Sequence, residues 1–286
     1  IYYPTIIMKI KVWGCRGSIA TPGPETLRYG GNTTCVEVRS CDGYEIVIDA
    51  GSGIRNLGKK LAEENTQEIY LLFTHAHWDH LLGFPFFLPA YSKGCTIYLC
   101  GGPNAQDSLK RYLDHQMQAP YFPVDINILQ AHFKFGFANA HGNKIGNIEI
   151  ESILLNHPNG GYGFKLIEND KTFVFLTDNE INYNYENGLS RVDYVEFCKD
   201  ADILFHDAQY TEEEYMYTRG WGHSTYIDAL KLAIDARVKK LGLFHYDPDR
   251  TDDEMDKIVI DCHEKIKSAK ATLECFAVAE GMEFEL

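Results

Sequence analysis

The stretch THAHWDH, residues 74–80, follows the apolar run IYLLF and crowds three histidines and an aspartate into six positions. Imidazole and carboxylate side chains at that density form a metal-binding pattern. His75 and His77 are two residues apart, so on an extended segment or tight loop both rings can face one side. Asp79 and His80 follow too closely to join the same tetrahedral shell comfortably. The spacing favours two adjacent ions, with His75 and His77 on one and Asp79 and His80 on the other. Nitrogen and oxygen donors without thiolate suit zinc, with manganese or iron as alternatives.

Four other apolar, strand-like runs end in residues of the same kind: IVIDAG at Asp49, ILLNHP at His157, FVFLTD at Asp178 and LGLFH at His245. Strand ends along one edge of a layered fold are where sites are assembled. His157, Asp178 and His245 are therefore the available further ligands. Asp178 suits a bridge, because a carboxylate can span two cations about 3.5–4 Å apart. Each has a plainer role when taken singly. A strand-end histidine is ordinarily a satisfied core or surface residue, and a lone aspartate a turn or cap former.

These positions have to be held by strands. KIKVWG, TTCVEVRS, YEIVIDAG, EIYLLFTH and TIYLCGG read as a first set. NIEIESILLNH, YGFKLIE and TFVFLTD read as a second, and ADILFHD, KKLGLFHYD, ATLECFAV and MEFEL as further strands. Helical spacing covers GSGIRNLGKKLAEENTQ and residues 104–118, 224–236 and 251–268. Strands that first cluster and then alternate with helices predict an α/β architecture of two sheets with helices packed outside. No linker divides the chain, so residues 1–286 read as one domain, and 1–7, ahead of Met8, are set aside as an extension.

Of the 286 residues 45% are hydrophobic and 13% aromatic, ample for a large core. The 41 acidic and 27 basic residues give a net charge of −14, which disfavours extended nucleic acid and anionic membranes. No apolar run approaches the roughly 20 residues needed to span a bilayer. The eight scattered cysteines form no CxxC pair and read as free thiols, so a cytoplasmic location is expected. Oligomeric state is left open, a homodimer included.

THAHWDH resembles the HxHxDH signature of the metallo-β-lactamase superfamily. The likeness continues in order through VIDAGSGIRNLG, NHPNGGYGFKL, FLTDNE and FHYDPDRTDDE. It implies an αββα sandwich with a dinuclear site at its edge. His75, His77 and His157 would hold the first ion, Asp79, His80 and His245 the second, and Asp178 would bridge. True β-lactamases usually differ at the Asp178 position, which disfavours antibiotic hydrolysis. NHPNGGYGFKL is similar to the phosphodiesterase branch, which includes tRNase Z and small phosphodiesterases. FHDAQY and GHST look like the paired HEAT and HST motifs of tRNase Z, with Asp207 in the glutamate's place and Gln209 in the threonine's. His223 then becomes the proton donor, so that His223, Asp207 and Asp79 are the candidate catalytic groups.

Asp49 and His206 are expected to lie behind the ligands, where carboxylates orient imidazoles. Asn32 and Thr33 could approach the site through GGNTT, and Tyr121, Phe122 and Tyr162 could stack on a nucleobase. His115, His132, His141 and His263 read as surface residues. GCRGSIATPGPETLRYGGNTTCVEV is typical of cyclic-nucleotide phosphodiesterase-like members. tRNase Z needs a basic arm, whereas residues 101–141 carry only Lys110, Arg111 and Lys134 as cations. The expected activity is therefore cleavage of a small phosphodiester, a cyclic nucleotide first among them. Ester or lactone hydrolysis, tRNA 3′-end cleavage and a non-catalytic metal-binding role are the alternatives.

Overall fold

The computed structural model describes residues 7–101, 106–136 and 144–286. The strands run β1 (Lys9–Gly14), β2 (Cys35–Arg39), β3 (Glu45–Ile48), β4 (Glu68–Leu72), β5 (Thr96–Cys100), β6 (His132–Phe135) and β7 (Lys144–Ile145). They continue as β8 (Ile148–Leu154), β9 (Tyr162–Glu168), β10 (Lys171–Leu176), β11 (Ile203–Asp207), β12 (Lys240–Phe244), β13 (Glu274–Ala277) and β14 (Glu283–Glu285). Seven form one sheet in the order β14-β1-β2-β3-β4-β5-β6, and seven form a second in the order β13-β12-β11-β10-β9-β8-β7. Both sheets are mixed: β3 to β6 are parallel neighbours, as are β10 to β13, and the remaining pairs are antiparallel.

Alternation along the strands divides the core. Ile46, Ile48, Tyr70 and Leu72 face the space between the sheets, where Phe164, Leu166, Phe173 and Phe175 meet them. Val47, Ile69 and Leu71 face outward onto a smaller core. That outer core includes Leu57 and Leu61 of helix α1 (Ile54–Glu63) and Leu109 and Leu113 of α3 (Gln106–Gln116). A single turn, α2 (Trp78–Leu81), lies between those two helices in sequence. On the far face α4 (Arg191–Phe197), α6 (Tyr226–Asp235) and α7 (Asp252–Ala269) cover the second sheet, and a short α5 (Glu212–Thr218) precedes α6. Two sheets between helical layers are the αββα sandwich.

The sequence pattern missed β6, β7, α4 and α5. β6, HFKF, is a four-residue exposed edge strand whose polar–apolar alternation was legible but short. α4 and α5 are only seven residues long, but each begins with a capping box, Ser190 with Asp193 and Thr211 with Glu214. Those spacings were legible as helix starts. The helix expected over 104–118 is shorter, and 104–105 and His141 lie outside the described residues. His115, His132 and His263 are exposed. All eight cysteines are unpaired, seven of them buried. Among the described residues no helix is long and apolar enough to cross a membrane.

Candidate metal centre

The carboxyl ends of β3, β4, β10 and β12, with the loop after β8, meet at one edge of the sandwich. Asp49, Asp178 and His245 each follow their strand with φ of 62°, 52° and 58°. Non-glycine residues in the left-handed region cost on the order of 1–3 kcal/mol each. Three at one edge mark a place where side-chain direction has been set against backbone preference. His75 and His77 lie in the loop after β4, and the helical turn of α2 then brings Asp79 and His80 inward.

Two clusters result, His75–His77–His157–Asp178 and Asp79–His80–Asp178–His245, each with its donor atoms within 4.8 Å of one another. Asp178 belongs to both, and its two oxygens divide between them. Oδ1 lies 3.7 Å from His75 Nε2 and 3.9 Å from His157 Nε2. Oδ2 lies 3.2 Å from His80 Nε2 and 3.3 Å from His245 Nε2. His77 Nδ1 is 2.9 Å from His157 Nε2, and Asp79 Oδ2 is 3.1 Å from His245 Nε2.

The donor set fits cations. His75 Nε2 and His80 Nε2 are buried without a hydrogen-bond partner. His80 Nε2 also lies 3.3 Å from Asp79 Oδ2, yet is aligned as a donor to neither that carboxylate nor Asp178. Buried ring nitrogens are rarely left so in a native core. Burial holds the pKa of His75 well below the ordinary value, with the positive neighbour His80 adding to it, and brings His157 down to about 4. Burial lowers His77 as well. These imidazoles are neutral, the form a ligand needs. Burial works against ionised Asp79 and Asp178, but the surrounding imidazoles outweigh it and hold both well below the carboxylate range. His80 rises well above its usual value, because Asp79, Asp178 and Asp49 outweigh its burial. A proton on His80 does there what a metal cation would do.

Asp49 stands behind the second cluster. Its Oδ2 lies 2.8 Å from His80 Nδ1, and it accepts 2.8 Å hydrogen bonds from the Thr74 N–H and hydroxyl. His206 sits elsewhere, with its Nε2 3.2 Å from the Asn179 amide and no contact to a ligand imidazole. Asn32 is not at the site. It is tied to Glu280 through its N–H and its Nδ2 and accepts from Ser52 Oγ, so its reading as a substrate contact is corrected. Thr33 is likewise engaged with Ser52. Tyr121, Phe122 and Tyr162 line a cleft of about 1050 Å³ that starts at His75 and His77.

Asp207 and His223 meet beside the clusters. His223 Nδ1 lies 2.7 Å from Asp207 Oδ2, whose other oxygen accepts from the Ser224 N–H at 2.9 Å. Burial alone would lower the His223 pKa; the Asp207 carboxylate overrides it and holds the ring up at about 9. His223 Nδ1 is 3.9 Å from Asp178 Oδ1, so the pair adjoins the bridging carboxylate.

Two residues of this machinery have roles that the sequence reading did not assign. Glu180, fully buried, accepts from the hydroxyls of Tyr185 and Tyr215 and the N–H groups of Gly220 and Gly222. It thereby fixes the loop before His223, and the Gly222 carbonyl lies 3.0 Å from His157 Nδ1. A Cβ at Gly222, whose φ is +97°, would sit 1.9 Å from that nitrogen, so only glycine fits. Gln209 Oε1 lies 3.0 Å from His245 Nδ1 and orients that ring from behind. A buried glutamate directly after the FLTDN turn was the one signal available for Glu180.

Two sheets inside helical layers, with a histidine and aspartate set for two ions at their edge, define a metallohydrolase of the metallo-β-lactamase class. Residues 44–246 match the family described as the β-lactamase superfamily domain, and the chain belongs to that family. Ribonuclease Z of Sulfolobus acidocaldarius is 27% identical over 248 residues, covering 71% of this chain and 79% of that protein. The metallo-β-lactamase fold protein YhfI of Bacillus subtilis superposes with a TM-score of 0.67 at 18% identity, over 98% of this chain and 100% of that one. A diphosphatase of the PhnP family gives 0.64 at 18% identity, over 98% of each chain.

Proposed function

We propose that this protein is a dinuclear metal phosphodiesterase for small phosphodiesters, with cyclic nucleotides as the compact substrates and zinc as the resident ion. Manganese or iron would suit the same donors. The observation that carries the reading is the Asp207–His223 pair at 2.7 Å, set against a carboxylate shared by two ligand clusters. Ester or lactone cleavage would not need such a pair.

His75, His77 and His157 would hold one ion, Asp79, His80 and His245 the other, and Asp178 both. Two such ions supply charge neutralisation at the non-bridging phosphate oxygens and a water acidified toward neutrality. The chain's own groups do the rest. His223 donates its Nδ1–H to the Asp207 carboxylate, so in the protonated ring Nε2 carries the second proton, the one free to be given up. The Asp207 carboxylate raises the His223 pKa and so favours the protonated ring, the form an acid for a departing alkoxide needs. Glu180 and Asp207 hold the loop on both sides of His223, so the donor needs little reorganisation.

The curated relative named Ribonuclease Z favours a second reading, cleavage of precursor tRNA. Charge argues against it: the chain is at −14, and residues 101–141 carry three cations. A panel on metal-defined protein decides between the two. Bis-p-nitrophenyl phosphate and 3′,5′- and 2′,3′-cyclic nucleotides are expected to be cleaved well ahead of a homoserine lactone, nitrocefin and precursor tRNA. Lactone turnover equal to the diesters, or efficient tRNA 3′-end cleavage at physiological salt, overturns the proposal.

A further inference from the structure

The cleft that begins at His75 and His77 has walls unlike those expected for a polyanion. Trp78, Leu81, Phe86, Leu109, Tyr112 and Phe122 form much of its lining, and no lysine or arginine is part of it. Two cations lie on the helix that supplies Leu109 and Tyr112 but are not among the lining residues. Lys110 lies over the Phe135 ring, and Arg111 stacks on Tyr112 with its guanidinium carbon 5.5 Å from the ring centroid. Residues 102–105 and 137–143, GPNA and FANAHGN, add no lysine or arginine by sequence. Trp78 is 74% exposed, Tyr121 64% and Phe86 52%, and all three line this one cleft. Large apolar side chains gathered at one concavity and left in water mark a binding site.

We propose that the cleft holds the hydrocarbon-rich arm of an amphiphilic phosphodiester whose phosphate sits at the histidine and aspartate clusters. For the head group this rests on the phosphodiesterase reading above. Continuity carries the inference: α2 presents Asp79 and His80 to the clusters and Trp78 to the cleft, so a phosphate at the former places its ester arm in the latter. At about 1050 Å³ the space reaches the upper end of what encloses a drug-sized ligand. A nucleoside arm is the competing occupant. A base read by its edges needs hydrogen-bonding partners; besides Thr74, already bound to Asp49, the wall holds His115, Gln116, Asn159 and the hydroxyl-bearing Tyr112, Tyr121 and Tyr162, so the test sets a nucleoside arm directly against the hydrocarbon one.

The test is a series of p-nitrophenyl esters with one leaving group and a varied second arm: methyl, butyl, octyl and thymidine 5′-yl phosphates. Each methylene buried should raise kcat/KM by about three- to fourfold, so octyl should exceed methyl at least about a hundredfold and exceed the thymidine ester. Phe86→Ser and Tyr121→Ser replace exposed residues and should flatten the dependence on chain length. Calorimetry with octylphosphonate and methylphosphonate supplies a readout free of turnover, with tighter binding and a more negative heat-capacity change expected for octyl. A flat series, a thymidine ester better than octyl, or equal binding of the two phosphonates overturns the assignment. No turnover of any ester, with octylphosphonate still bound tightly, would sink the phosphodiesterase reading and leave the apolar cleft standing.

Discussion

Strand β3 has a buried carboxylate at each end, and the two are handled in opposite ways. At its start Glu45 sits beside Glu37 and Glu64, and the fold brings its own cations to them. Arg39 lies 2.8 Å from Glu45 and 2.7 Å from Glu64, and Lys60 lies 2.5 Å from Glu37. Just past its other end, Asp49 begins a region where Asp79, Asp178 and Asp207 gather with no lysine or arginine paired to them, imidazoles being their only ion-pair partners. Two of those imidazoles keep a ring nitrogen without a partner. A buried acidic cluster that carries its counter-ions is compensated in charge from within the fold, even though Glu45 Oε1 itself lacks a hydrogen-bond partner. One that lacks them, and surrounds the gap with neutral nitrogen donors, has been left for a cation from outside.

The comparison breaks most easily at Asp178. Wild-type protein should bind two divalent ions per chain by elemental analysis, and adding the ion should raise Tm by mass action. Asp178→Ala should lose both ions and the Tm response, because each oxygen of that carboxylate serves one cluster. His157→Ala should weaken only the first ion. Glu45→Ala, at the self-sufficient end, should leave metal content at two. Two tightly held ions in Asp178→Ala, or a metal deficit in Glu45→Ala, would erase the contrast.

The next effect belongs to His223. A ribose alkoxide is a strong base and needs a proton as it leaves, whereas p-nitrophenolate does not. His223→Ala should lower cyclic-nucleotide cleavage by about 10²–10⁴-fold, cost far less with bis-p-nitrophenyl phosphate and leave two ions bound. Asp207→Asn should follow the same pattern more mildly. An equal loss on both substrates removes the proton-donor role, and loss of an ion would make His223 a ligand.

Asp49→Asn should have a smaller effect. Its carboxylate touches His80 on the side away from the clusters, so the change should weaken the second ion by about 10- to 100-fold, as outer hydrogen-bond partners of ligands do. Competition with a chelator reads this directly; unchanged affinity would make Asp49 a turn former only.

How far these differences could be read in advance follows from where the signal lies. The ligand-bearing strand ends announced themselves because an apolar run stopped at a histidine or aspartate, and short sequence distance kept His75 to His80 together. Glu180 could not be read that way: its partners are backbone N–H groups at 220 and 222 and the phenols of Tyr185 and Tyr215, which only the folded chain assembles. Asn32 failed for a related reason. Its neighbour Glu280 arrives from 248 residues away and ties it to a turn. The edge strand β6 alternates as HFKF but over only four residues, while the apolar cleft joins the three aromatics marked in advance, Tyr121, Phe122 and Tyr162, to Trp78, Phe86 and Tyr112, to which the sequence assigned no role.

The smallest expected effect tests the other end of β3. Burial, reinforced by Glu37, pushes the Glu45 pKa from an ordinary 4.5 up to about 8, against the pull of Arg39 and Lys60. A carboxyl raised in the folded state binds its proton more tightly there than in the unfolded chain. Its contribution to stability is therefore complete below pH 4.5 and is lost as pH rises through 8. Glu45→Gln keeps the shape and a donor–acceptor head but cannot titrate. Relative to wild type, the variant should gain stability between pH 5 and pH 8.5, measured as the difference in urea midpoint with chelator present in both. Titration of the metal-site histidines is common to the two proteins and cancels in that difference. A gap that stays constant or narrows over this range would mean that Arg39 and Lys60 keep Glu45 ionised throughout, and that the two ends of β3 differ in metal affinity without differing in how each settles its proton.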